Sequence, residues 1–380
     1  MFHQAGAIPN PLTTAMCSGT TVDCRTSRPM RFPVLVHITA AVWITAIATL
    51  SIAAPASYDQ LLQEDRAVEW TTVWLFLIAA IGFGINARRG RRADAIVAAF
   101  CVVVAGEECS WGQRLIGYTA PEFFLAHNYQ QEMNVHNLPQ AIVQPKWMLM
   151  AVLAVYGLLL PLAANRPRVR AQLDRAALTT PPRELAPWFA AAIGLLLWYP
   201  LTFTGEWVEA LAGGLFLVAS GTFRRTWWAF IAAASVLGVI ATHASARVIA
   251  MSDIERVTCA QREVDAIAAD IVSGQAATDR LWRMRSVHKR VWSAIGEEYL
   301  RSERLSQFTH ACADDSSAHN DLRRKYAIDP WGGPYWVLVE GLEGRTRIVV
   351  YSFGPNRRRE IDSEALNADR GDDVIAERAR

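Results

Sequence analysis

Residues 226–250, TWWAFIAAASVLGVIATHASARVIA, decide how this chain is read. Arg247 is the one formal charge in the run, and as a helix it reaches past the roughly 30 Å of bilayer hydrocarbon. A helix here crosses a membrane. Beyond it, from Ser252 onward, the text turns soluble. Upstream, six more apolar runs cover about 32–54, 67–86, 93–109, 147–164, 186–202 and 204–221. Composition agrees: the 380 residues are 52% hydrophobic and 19% charged, against about 25% charged in soluble domains. The predicted fold is therefore an all-α transmembrane bundle of about seven helices, followed by a small α+β domain. Residues 1–30, biased to Pro, Thr, Ser and Gly, precede it as a disordered cytoplasmic tail; 31–225 form the six-span bundle, 226–250 the seventh span, and 251–380 the outer domain. The first run has no small-residue cleavage site, so it reads as a retained helix and not as a signal peptide.

The connections orient the bundle. Fourteen arginines precede span 1 or lie between spans 2–3, 4–5 and 6–7, whereas the alternate connections carry three basic residues, Arg66, Arg114 and Lys146. The positive-inside bias predicts a cytoplasmic N-terminus and an extracytoplasmic C-terminal domain, in a bacterial inner membrane with the domain in the periplasm. The bilayer is thus the first partner, and nothing points to nucleic acid. No P-loop or dinucleotide fingerprint is present. Of the six cysteines, Cys259 and Cys312 fall in the oxidising compartment and are open to pairing.

In the soluble part, Val257, Ala260, Val264, Ile267, Ala268 and Ile271 recur at helical spacing and predict an amphipathic helix continuing span 7. A second helical pattern runs over 279–305. Strands are expected at 335–340 and 345–352, joined by the turn Gly341-Leu342-Glu343-Gly344.

Charged residues are rare in the spans, and several acids fall at the outer ends. Glu69 opens span 2, Glu107 and Glu108 close span 3, and Glu206 and Glu209 open span 6 one helical turn apart. The 107–146 connection adds His127, Glu132 and His136. Carboxylates with imidazoles suit a divalent metal that would activate water, and Glu107, Glu108 and His136 are the candidate catalytic groups. The plainer reading is solvated interface acids. Negative charge is favoured near helix N-termini, which covers Glu69 and Glu206 but not the C-terminal Glu107-Glu108 pair.

Two resemblances follow. Glu107-Glu108-Cys109-Ser110-Trp111-Gly112-Gln113-Arg114, with Glu69-Trp70 and the Gln131–Asn137 text, is similar to uncharacterised bacterial multi-pass membrane proteins carrying an E-E-x-S-W-G-Q-R pattern, to which no reaction is attached. Asp329-Pro330-Trp331-Gly332-Gly333-Pro334-Tyr335, the strand pair and Gly371-Asp372-Asp373 resemble the C-terminal domain of the major pseudopilin of type II secretion systems. That resemblance implies a calcium loop, with Asn356, Asp372 and Asp373 as its candidate ligands, although Arg357-Arg358-Arg359 departs from the family loop. It also implies secretion or pilus-like envelope partners. The family's leader and assembly glutamate have no counterpart around Gly221–Trp228, so the domain reads as a fixed outer-face module. Three functions stay open: a membrane-anchored scaffold displaying that module, a metal-dependent membrane hydrolase or transferase, and a cation-binding transporter or sensor.

Overall fold

The computed structural model describes residues 32–62, 66–116, 120–128, 131–135, 138, 145–250, 254–272, 286–291, 326–342, 345–354 and 373–379. The membrane half opens with α1 (Phe32–Ala53), a short α2 (Pro55–Leu62), α3 (Ala67–Arg88) and α4 (Asp94–Glu108). Two short helices, α5 (Gln113–Ile116) and α6 (Glu122–His127), lie in the long connection. Then α7 (Pro145–Val152), a π-helical stretch (Leu153–Leu159) and α8 (Leu160–Ala163) run as one rod, followed by α9 (Pro167–Arg175), α10 (Ala186–Trp198), α11 (Thr204–Ala219) and α12 (Trp227–Ala250). Beyond the bundle lie α13 (Ile254–Val272) and strands β1 (Ser286–Arg290), β2 (Trp336–Leu342), β3 (Arg345–Ser352) and β4 (Val374–Ala379).

Four of these helices are long and apolar enough to cross a membrane: Pro33–Ala53, Ala67–Arg88, Lys146–Ala163 and Trp227–Ala244. The other three expected spans are shorter than anticipated: α4, α10 and α11 have 15, 13 and 16 residues, about 20–24 Å of helix. The backbone explains why. Tyr199 and Phe203 adopt left-handed conformations that stop α10 and start α11, so 199–203 is a connection. Ser110 and Trp111, also left-handed, turn the chain away after α4.

Helix α3 is the axis. Two thirds of its hydrophobic window is buried (67%), against 17–28% for the other three long helices, which leave apolar faces outward. It packs against α4, α11 and α12. Close approach is built in at Gly238, where a Cβ would sit 2.4 Å from Thr71 Oγ1 and 2.8 Å from the Ala67 carbonyl. An aromatic core fills the interior, with Phe216 5.8 Å from Phe76 and stacked on Tyr156 at 5.1 Å. At the arginine-rich end, buried Asp94 accepts from the Thr179 amide (2.6 Å) and hydroxyl (2.5 Å), and Arg91 donates to the Leu178 carbonyl at 2.6 Å. Each removes a buried polar group from hydrocarbon at the edge of the bundle.

The C-terminal module is an antiparallel sheet of order β1-β2-β3-β4 with α13 on one face. Ala260, Val264, Ile267, Ala268 and Ile271 are buried against Tyr335, Val337, Val339, Ile348 and Val350, as the helical spacing predicts, while Val257 is exposed. Alternate residues Leu338, Val349 and Tyr351 make a second cluster with Trp336 and Phe353, the period-2 signature of a sheet. Asp329 organises the turn before β2: one oxygen accepts from the Trp331 (3.0 Å) and Gly333 (2.7 Å) amides, the other from the Ser352 hydroxyl (2.6 Å).

Two expectations are corrected here. Ser286–Arg290, inside the expected helix 279–305, is a strand, because pairing with β2 satisfies a row of backbone groups that local propensity does not see. Gly341 and Leu342 belong to β2, paired with Thr346 and Arg345, so the turn is narrower than 341–344. A fourth strand, β4, pairs with β3 and had no sequence prediction. Cys259 is disulfide-bonded, whereas Cys312 lies outside the described residues, as does 1–30.

Candidate functional site

Of the seven candidate outer-face ligands, three carboxylates come together. Glu108, at the last turn of α4, meets Glu206 and Glu209 from the first turns of α11, and one carboxylate oxygen from each lies within 4.8 Å of the others. All three are partly exposed. Glu206 and Glu209 share a helix face because they are three residues apart. Like charges this close repel, and a cation relieves the repulsion. Oxygen-only ligation of this kind suits a hard divalent ion such as magnesium, calcium or manganese.

Glu107 has a different task. Successive helix positions point about 100° apart, so it faces away from its neighbour. Its two oxygens accept from Trp111 Nε1 (2.7 Å) and from the Val135 amide (2.5 Å). Trp111 folds back over Gly106, where a Cβ would meet the indole ring at 3.0 Å. Glu132 likewise accepts from the Ser110 hydroxyl at 2.8 Å. Gln113 accepts from the Met133 amide (2.8 Å), and buried Asn128 donates to the Asn134 carbonyl at 2.7 Å. The Glu-Glu-x-Ser-Trp-Gly-Gln text thus divides: Glu107, Ser110, Trp111 and Gln113 brace the connection, and Glu108 meets α11.

Of the remaining predicted ligands, the described Glu69, Glu107 and His127 are not members of this group. His127 is exposed, stacked on Phe123 at 4.8 Å with Nδ1 against the Phe123 carbonyl. Glu69 is buried in the first turn of α3 and does not belong to the trio. His136, Asn356 and Asp372 lie outside the described residues; Asp373 is partly buried just before β4. Among the described residues, the trio is the one grouping of three acidic, histidine or cysteine side chains close enough to share an ion.

Left-handed backbone concentrates around it. Ser110 and Trp111 follow Glu108, and Tyr199 and Phe203 precede Glu206, with φ between 45° and 58° in residues that are not glycine. Each such residue costs on the order of 1 kcal/mol, held in place by its surroundings.

A second feature was not legible in the sequence. The C-terminal module is seated on the 120–135 segment. Tyr326 and Ile328 are buried with Ala120 and Leu125, flanked by Phe124 and Met133. Gln131, in left-handed backbone, donates to the Leu125 (3.2 Å) and Tyr326 (3.0 Å) carbonyls. Arg290 of β1 donates to the Asn128 carbonyl at 3.0 Å, and the Tyr326 hydroxyl donates to Glu122 at 3.1 Å. Asn128 and Gln131 lay in the flagged connection; Tyr326 carried no signal. No protein-family model, curated protein or solved structure matches the chain.

Proposed function

We propose that this chain is a seven-span protein of the bacterial inner membrane, N-terminus in and C-terminus out, that holds a pseudopilin-like module fixed on its outer face as an envelope or secretion-associated scaffold. The seven-span count is supported by the short helices joining both ends of the bundle. Helix α4 runs from Asp94 at the arginine-rich end to Glu108 in the acidic trio, and α11 runs from that trio back to Ser220, whose carbonyl accepts from Asn86 at 2.8 Å. The observation that carries the scaffold reading is the seat of Tyr326 and Ile328 on the 120–135 segment. It fixes the module's orientation, as a display platform requires and a mobile tether does not. Affinity purification of the full-length protein from its native membranes tests this. Envelope proteins that are recovered with the full chain and lost on deletion of 252–380 support the scaffold; an identical set from both refutes it.

The acidic trio favours a second reading, a metal-dependent hydrolase or transferase working at the outer leaflet. There the ion would be held by Glu108, Glu206 and Glu209 and would lower the pKa of a bound water. Metal analysis of the purified protein decides whether this reading stands: a stoichiometric divalent ion lost in Glu206→Gln/Glu209→Gln supports it, and no ion in the parent protein removes it.

A further inference from the structure

A cleft runs through the membrane half, its lining on α11 beginning one residue past Glu209. Helices α1 and α12 do not close on each other, and between them α3 and α11 form the floor of a cavity of about 80 Å³. Its lining on α11 extends from Ala210 to Val218, roughly 12 Å of helix rise. We propose that this cleft is a binding site for one acyl chain of a membrane phospholipid.

The lining fixes the chemistry of the occupant. No ionisable side chain faces the cleft. Three of its polar side chains spend their donors within the protein: Thr71 on the Ala67 carbonyl (2.5 Å), Ser235 on the Ile231 carbonyl (3.0 Å) and Trp43 Nε1 on the Trp207 carbonyl (3.2 Å). A headgroup, a sugar or a peptide finds few groups to pair with in a lining made mostly of apolar side chains, and an unpaired polar group in such a site is costly. An uncharged hydrocarbon matches it.

The two helices that flank the cleft also carry exposed apolar faces. Val34, Ile38 and Val42 are exposed along α1, and Trp228, Val236 and Val239 along α12. Both helices are long and apolar enough to span, so these faces meet acyl chains. The cleft lies between those two helices, beside the acyl chains that their outer faces meet. Gly214 keeps its floor low: a Cβ there would touch only Ile231 Cδ1, at 3.9 Å. This site is independent of whether the trio binds an ion.

The test uses the full-length protein purified in a mild detergent, with native mass spectrometry and phospholipid extraction. The parent protein is expected to keep about one phospholipid per chain through detergent exchange. Gly214→Leu fills the cleft and should lower the retained phospholipid by about tenfold, the change expected from displacing roughly two methylenes of bound chain. Ala40→Leu fills it from α1 and gives the same reading if Gly214→Leu does not fold. Retention unchanged in the folded variant, no retained phospholipid in the parent protein, or a retained isoprenoid or detergent in its place overturns the proposal.

Discussion

Truncating Tyr326 to alanine should release the C-terminal module from the membrane half while leaving the module folded. The side chain is 4% exposed and packs on Leu125 and Ala120, with Phe124 and Met133 around them. Deleting a buried aromatic costs about 3–5 kcal/mol in a protein core. Part of this contact lies at a rim, so about 3 kcal/mol is the better figure. At 1.4 kcal/mol per factor of ten, the docked-to-undocked ratio falls on the order of a hundredfold. Gln131 then loses the carbonyl of Tyr326 as an acceptor, and the segment it anchors opens more often. Hydrogen exchange followed by mass spectrometry reads this directly. Peptides covering 120–135, where the Asn128 amide donates to Phe124 and the Gln131 amide to Asn128, should exchange faster by up to that factor. Peptides from β2 and β3 should not change, because Tyr326 lies outside the sheet's core cluster. Unchanged exchange in 120–135 would refute the reasoning, and faster exchange throughout the sheet would mean that Tyr326 supports the module's own fold. Tyr326→Phe keeps the ring and removes the bond to exposed Glu122, and should shift exchange by less than about 1 kcal/mol.

Other outcomes follow from single contacts. Glu206→Gln/Glu209→Gln should abolish divalent-ion binding, measured by elemental analysis, whereas Glu107→Gln should leave ion content unchanged and lower the melting temperature, since it disturbs a carboxylate pairing Trp111 and Val135 at a cost of about 1–3 kcal/mol. Gly157→Ala places a methyl about 2.1 Å from Phe189 Cγ and should destabilise the bundle by about 1–3 kcal/mol in thermal unfolding. Asp329→Ala leaves two amides and the Ser352 hydroxyl without their acceptor and should cost the module about 3 kcal/mol; Asp329→Asn, which keeps one acceptor oxygen, should cost less.

The legible parts of this protein are those written in local periodicity. The α3 and α12 spans, the buried stripe of α13 and the β2–β3 pair all follow from runs of three or more turns or from strict alternation, which burial reads one residue at a time. Helix ends were less legible. The run at 186–202 stays apolar through Tyr199, so hydropathy continues where the backbone turns left-handed. Strand β1 was read as helix because its partner β2 lies far along the chain, and pairing outweighs a weak local preference. The trio was half legible: Glu206 and Glu209 share a face by spacing, but which of Glu107 and Glu108 joins them depends on the rotation of α4 about its axis.

By itself the sequence determined that this chain carries helices long and apolar enough to cross a membrane, which connections are rich in arginine and which helix ends carry acid, and that a sheet with an amphipathic helix follows. These are transfer free energies, additive over a segment and indifferent to what packs beside it. Tertiary structure alone decided that Glu107 braces a connection while Glu108 meets α11, that Tyr326 seats the module on 120–135, and that α1 and α12 leave a cleft between them. Such features depend on distances between residues scores of positions apart, set by how helices rotate and cross when their side chains close-pack, and no local pattern encodes that.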